Sequence, residues 1–208
     1  MEVNTAFSSD EKGLYTGFLY IFEKKRPGMI SMDNTVLLVV DIQERLFIQM
    51  NDKEALIKGV KAVINGAKIL NIPILVTEQA PQKIGKTISE IAGLILNKPL
   101  FEKVDFSCCG NVDFVKKIKS LKRKNIVIVG VETHVCVYQT AVDLIARGFK
   151  VHVVVDAVSS RTAFNKDIGL QLMKDAGASL TSVETVLCEL LKRAQGEEFK
   201  EILKLIKY

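Results

Sequence analysis

Thr35-Val36-Leu37-Leu38-Val39-Val40-Asp41-Ile42-Gln43 is a run of leucine and valine that ends in polar side chains. A strand with one face to water alternates apolar and polar residues, and a strand covered on both faces does not. Residues 36–40 are apolar at every position, so they read as a doubly buried strand of a parallel sheet.

The flanking sequence fits that reading. Glu54 to Leu70 carries Leu56, Ile57, Val60, Val63, Ile64, Ala67 and Leu70 at helical spacing. Pro73 follows, then Ile74 to Thr77 as a second strand. Ile88 to Leu96 reads as a helix, and Leu100 to Lys103 as a short extended piece. Val112 to Leu121 is a helix leading into strand Ile126 to Val129. Val135 to Ala146 is a helix stopped by Gly148, and strand Val151 to Val155 follows. Helix Thr162 to Asp175, strand Ser179 to Ser182 and helices Val183 to Lys192 and Glu197 to Lys207 complete the chain. Strands alternating with helices predict an α/β fold, a three-layer α/β/α sandwich with a mostly parallel sheet.

Residues 1–31 do not match this pattern and are read as an N-terminal extension, with the domain spanning 32–208. Met29 and Met32 lie just before the first strand, so a start at Met1, Met29 or Met32, a disordered tail and an oligomer arm are the alternatives. The apolar stretch from Gly13 to Phe22 is too short for the ~18 residues of a membrane span.

The 208 residues are 48% hydrophobic and 25% charged, the balance of a globular protein that buries a core. The net charge of +5 is not a nucleic-acid signature. The densest basic stretch, Lys116 to Lys124, interleaves with Phe114, Val115, Ile118 and Leu121 and reads as a solvated helix face. Cys108, Cys109, Cys136 and Cys188 fit neither a zinc spacing nor a secreted disulfide framework. A reducing cytoplasm is expected.

In parallel sheets, ligands sit beyond the carboxyl ends of the strands. There the sequence places Asp41 and Gln43, then Glu78 and Gln79, then Gly130-Val131-Glu132-Thr133-His134-Val135-Cys136, and Asp156. Asp41, Lys103 and Cys136 suit one nucleophilic site. A thiol in the first turn of a helix, near an ammonium, is expected to ionise more easily. Asp41 would serve as general base and then general acid, and backbone N–H groups near Glu132 and Cys136 would hold an oxyanion. Free cysteine is also a common buried hydrophobe, and spacing alone does not choose between the two.

Val36 to Gln43, Phe101-Glu102-Lys103 and Gly130 to Val137 together resemble the opening strand, lysine segment and nucleophile turn of the isochorismatase-like cysteine hydrolase superfamily. The resemblance runs from about Thr35 to Lys192 and is strongest to its isochorismatase-domain branch. It implies the isochorismatase-like hydrolase fold, a triad of Asp41, Lys103 and Cys136, and a cis peptide between Val131 and Glu132. It further implies a metal-independent cysteine hydrolase, attacking a small amide or related acyl substrate through a thioester, in a homo-oligomer, dimer or larger. Nicotinamidases of this superfamily carry a histidine-rich metal site after the second strand. Here that region reads Thr77-Glu78-Gln79-Ala80-Pro81-Gln82-Lys83, so neither a metal nor any other cofactor is expected.

Gln43, Phe47, Glu78, Gln79 and Thr133 are candidate pocket residues, each with a structural reading beside it. Strand-end glutamines bond to backbone, Glu78 pairs with a lysine, Thr133 caps a helix and Phe47 packs in the core. His134 is expected to pack or cap rather than act as a base, and Asp156 to support the following loop. The expected partner is a small-molecule substrate, with no nucleic acid and no membrane. A binding or oligomeric scaffold and a thiol redox protein are the alternatives. The redox reading would need a resolving cysteine that sequence cannot place.

Overall fold

The computed structural model describes residues 29–207. The first 28 residues of the expected extension, and the start at Met1, lie outside the described residues. Ile30 belongs to the packed domain: it is 1% exposed, and its N–H donates to Glu189 Oε1 at 2.8 Å.

Six strands form one sheet: β1 (Thr35–Val40), β2 (Ile74–Gln79), β3 (Leu100–Lys103), β4 (Asn125–Val131), β5 (Lys150–Ser159) and β6 (Ser179–Thr181). Their order is β3-β2-β1-β4-β5-β6, and every neighbouring pair is parallel. The helices are α1 (Glu44–Phe47), α2 (Lys53–Ile69), α3 (Pro81–Ile84), α4 (Ser89–Ala92), α5 (Val112–Ser120), α6 (Tyr138–Ala146), α7 (Ala163–Asp175), α8 (Val183–Leu191) and α9 (Glu197–Ile206). Residues of α2, α8 and α9 pack on one face of the sheet against Leu37, Val39, Val127 and Val129. Residues of α5, α6 and α7 pack on the other against Val36, Leu38, Ile126 and Ile128. β1 is buried at all six positions, as its unbroken apolar sequence requires.

The chain winds outward from β1 to β3, crosses to the other side of β1, and winds outward again from β4 to β6. The winding reverses between β1 and β4, and a crevice opens where two such connections diverge. Asp41 follows β1 and the turn bearing Cys136 follows β4, so the switch point brings them together. Gly130 lets the two strands meet there. A Cβ on it would lie 2.2 Å from the Val40 carbonyl oxygen, and its φ of 144° disfavours any other residue.

Three elements differ from the expected pattern. The helix expected over 88–96 is one turn, α4, because Gly93 and the left-handed Asn97 (φ 61°) break it. β5 continues past Val155 to Ser159 through a bulge, with Ile128 opposite Val153 and Gly130 opposite Val158. The bulge carries Asp156, whose Oδ1 accepts from the Val183 N–H at the start of α8, so this bond holds a later helix rather than the loop that follows β5. The helix expected from Val135 begins at Tyr138, after a π-helical turn over Thr133–Val137.

His152 on β5 is buried, and its Nε2 finds no hydrogen-bond partner. Burial, and then the Lys150 charge, push its pKa below the ordinary 6.5. Below about pH 6.5 the unfolded chain takes up a proton that the folded chain resists, so stability falls as pH falls. Unfolding free energies from denaturant titrations are expected to drop less from neutral to acid pH in His152→Leu than in wild type, by at most about 1.4 kcal/mol per pH unit.

Candidate active site

Strand register assembles the charges. Val40 lies opposite Thr77 and Gln79 lies opposite Lys103, so Asp41, Thr77, Gln79 and Lys103 converge at one end of β1, β2 and β3. Asp41 leaves β1 at φ 53°, a left-handed conformation that aspartate adopts more readily than most residues. Its Oδ2 accepts from Lys103 Nζ at 2.6 Å, and its Oδ1 from the Thr77 hydroxyl at 2.7 Å. Neither side chain of the ion pair is exposed.

Lys103 Nζ also donates to Gln79 Oε1 at 2.6 Å and to the carbonyls of Phe106 at 3.0 Å and Asp105 at 3.3 Å. An ammonium has three protons, and these acceptors use them all. Burial alone would lower its pKa, but the Asp41 charge and then the Cys108 and Cys136 sulfurs raise it above the ordinary 10.5. Lys103 is thus a fixed positive charge rather than a mobile base.

Cys136 lies in the π-helical turn and is 3% exposed. The activated thiol expected from a helix N-terminus is not what the structure shows. Burial, and then the Asp41 charge, push the thiol pKa up, and a hydrogen bond to Asp41 adds to this, against the opposing pull of Lys103. At rest the site holds a thiol, a carboxylate and an ammonium.

The Val131–Glu132 bond is trans, and no cis peptide occurs among the described residues. This corrects the cis bond implied by the family resemblance. Glu132 at φ 57° makes the turn by itself, after Gly130. Its carbonyl accepts from the N–H groups of Val135 at 2.9 Å and Val137 at 3.3 Å. Its Oε1 accepts from Arg161 Nε at 2.8 Å. Its buried Oε2 has no hydrogen-bond partner, with His134 Nδ1 3.6 Å away. α7 braces the turn through Gly169, where a Cβ would lie 2.7 Å from the His134 Cα.

Most candidate pocket residues have structural duties. Gln43 Nε2 donates to the carbonyls of Gln79 and Gly85, and its Oε1 accepts from the Gln79 N–H. Glu78 Oε1 accepts from both the N–H and the hydroxyl of Thr87 at 2.7 Å, so it holds a loop rather than a lysine. Phe47 is half-buried against the core. Thr133 caps no helix; its hydroxyl donates to the Ser159 carbonyl at 2.9 Å, tying the Cys136 turn to β5. His134 Nδ1 lies 3.1 Å from Ser160 Oγ, and that pairing fits its expected packing role. Gln79 alone of the set bonds to a side chain of the triad, through Lys103, while the Gln43 N–H donates to the Asp41 carbonyl. Sequence reasoning missed Thr77 and Cys108, which contact Asp41 directly and through Thr77 respectively. Pairing of β1 with β2 was the signal that could have found Thr77. Among the described residues no group of three or more His, Cys, Asp or Glu side chains could hold a metal ion.

The isochorismatase domain family matches residues 35–185. A secreted isochorismatase effector, Isc1, of Phytophthora sojae is 38% identical over 187 residues, covering 88% of this chain and 89% of its own. A solved structure described as the MAR1 ribonuclease of Caenorhabditis elegans is 38% identical, with TM-score 0.81, covering 86% of this chain and 92% of its own. The Escherichia coli YcaC structure, described as an octameric hydrolase of unknown specificity, is 26% identical with TM-score 0.82, covering 88% of this chain and 92% of its own.

Two outcomes follow from the charges. Lys103→Met leaves Asp41 buried and unpaired and is expected to cost about 3–5 kcal/mol, measured by denaturant unfolding. Cys136, Cys108 (pushed up to about 12 by burial and then the Asp41 charge) and Lys103 all hold protons that the unfolded chain loses at lower pH. Stability is expected to be full below about pH 9 and to fall as pH rises above it, less steeply in Cys108→Ala.

Proposed function

The chain belongs to the isochorismatase domain family of hydrolases, and from that premise we propose that it is a metal-independent cysteine hydrolase acting on a small amide or related acyl compound. One observation carries the reading. The buried Cys136 thiol lies close enough to Asp41 for that charge to push its pKa up, and the Asp41 carboxylate is itself held by the Lys103 ammonium and the Thr77 hydroxyl. A buried thiol beside a fixed carboxylate is a nucleophile paired with its proton acceptor.

The chemistry runs as follows. As the sulfur attacks the acyl carbon and the C–S bond forms, the thiol proton passes to Asp41. The acyl oxygen takes up negative charge, and we assign the N–H groups of Glu132 and Cys136 as its donors. Collapse breaks the C–N bond, and Asp41 returns the proton to the departing nitrogen. The thioester remains. Water then attacks it, Asp41 accepts a proton from the water, the C–S bond breaks, and the proton returns to sulfur. Lys103 keeps its charge throughout and holds Asp41 in place. The thiol is generated as a nucleophile only at the moment of attack, so a raised resting pKa is compatible with turnover.

The redox alternative gains one observation, because Cys108 and Cys136 share the Asp41 and Lys103 neighbourhood. Both thiols are held protonated, however, and it is the thiolate that attacks a peroxide. The observation therefore favours acyl chemistry. The word ribonuclease belongs to the nematode relative. A buried thiol, carboxylate and ammonium suit an acyl carbon better than a nucleic-acid strand.

We also propose a homo-oligomer in a reducing compartment. The octamer described for the Escherichia coli relative supports the oligomer, as does an exposed apolar stripe of Phe164, Ile168 and Leu172 on α7, and the four free cysteines suit the compartment. Light scattering is expected to give a mass of at least a dimer, and a monomeric mass would overturn it.

A panel of small amides and thioesters tests the activity. Cys136→Ala is expected to fold and to lose roughly three orders of magnitude or more in turnover. Chelators are expected to leave the rate unchanged. Full turnover by Cys136→Ala would sink the nucleophile assignment, and loss on chelation would sink metal independence.

A further inference from the structure

Thr77 is the fourth residue of β2, a strand buried at all six positions, and is itself fully buried. Its hydroxyl lies between two groups: Asp41 Oδ1 at 2.7 Å and Cys108 Sγ at 3.6 Å. A hydroxyl has one proton and can accept as well as donate. An ionised carboxylate only accepts, so the Thr77 proton points to Asp41. Cys108 then supplies the other half, its thiol donating to Thr77 Oγ1. Burial and the Asp41 charge keep that thiol protonated, which suits a permanent donor.

Cys108 is itself held. Its backbone N–H donates to the Thr140 hydroxyl at 2.9 Å, and Thr140 is a buried residue of α6, the helix that continues from the Cys136 turn. The bonds run from α6 through Thr140 and Cys108 to Thr77, and end on the carboxylate. Asp41 thus has one fixed donor on each oxygen, Lys103 on Oδ2 and Thr77 on Oδ1. Two fixed donors set the plane of a carboxylate and the direction of its remaining lone pairs.

We infer that Thr77 is a positioning residue for the proton acceptor Asp41, and that Cys108 orients the Thr77 hydroxyl rather than reacting. This rests on the cysteine hydrolase reading and deepens it. A purely structural role would leave the proton exchange between Cys136 and Asp41 untouched. A positioning role makes Thr77 tune it, because a hydrogen bond to the charged form of a carboxylate makes it a weaker base.

The test is alkylation of Cys136 by iodoacetamide in the full-length protein, followed by peptide mass spectrometry from acid to alkaline pH. Between an acid edge and an alkaline climb, wild type is expected to show a plateau, where the thiol reacts after its proton passes to Asp41. The edge and the plateau belong to the Cys136–Asp41 pair. Thr77→Val keeps the shape and removes the donor. Its acid edge is expected to move up by about one pH unit and its plateau rate to rise about tenfold. Thr77→Ser is expected to restore both, and Cys108→Ala to move both the same way by less. A folded Thr77→Val with wild-type edge and rate overturns the inference. If Thr77→Val does not fold, Cys108→Ala decides, and an unmoved profile there overturns it. A wild-type Cys136 with no plateau, reacting like the exposed Cys188, overturns the cysteine hydrolase reading itself, and that outcome is visible without any variant.

Discussion

A carboxylate and an ammonium 2.6 Å apart, with neither side chain exposed, is the contact on which the rest of this protein depends. Taking both charges out of water costs several kcal/mol each, and only close geometry with further hydrogen bonds offsets that. The fold supplies both. β1 delivers Asp41, β3 delivers Lys103, and β2 between them delivers Thr77 to one charge and Gln79 to the other. The Phe106 and Asp105 carbonyls complete the ammonium's set. A slip of one residue in either pairing would turn these side chains to the opposite face and strand both charges. The ion pair is therefore an argument about register more than about stability.

The thiol inherits its character from that pair. Asp41 lies close enough to repel a thiolate and to receive its proton, and Lys103 offsets only part of the repulsion. In the proposed hydrolysis, reactivity would be produced when the substrate arrives rather than stored in a resting thiolate. Such an arrangement also protects a buried cysteine, since the thiol form resists oxidation.

The fold was largely legible because its signals are local. An unbroken apolar run marks a strand buried twice, and helical spacing marks α2, α5, α7, α8 and α9 within a residue or two. Asp41, Lys103 and Cys136 could be picked out by their places at strand ends and by the family resemblance, and the structure brings all three together. What was not legible is set by tertiary contacts. The π-helical turn follows from the Glu132 carbonyl accepting two N–H groups, which no spacing announces. The sign of the Cys136 shift depends on burial, and a helix-dipole argument made without it pointed the wrong way. Gln43 and Glu78 looked like pocket residues because strand ends attract attention, yet loop backbone consumes them. Thr77 drew no attention because a threonine in a strand needs no explanation until its neighbour is known.

The sheet order has a kinetic consequence. Its central pairing joins β1 to β4, whose first residues, Thr35 and Asn125, are far apart in the chain. Parallel strands always pair at long range, and chains built on such contacts fold slowly. β1, β2 and β3 are consecutive, so the charge cluster can assemble in the first half of the chain. The Cys136 turn arrives only after the later half docks. Early folding species would therefore hold the Asp41–Lys103 pair with no thiol beside it, and closure of the β1–β4 seam would be the event that completes the site.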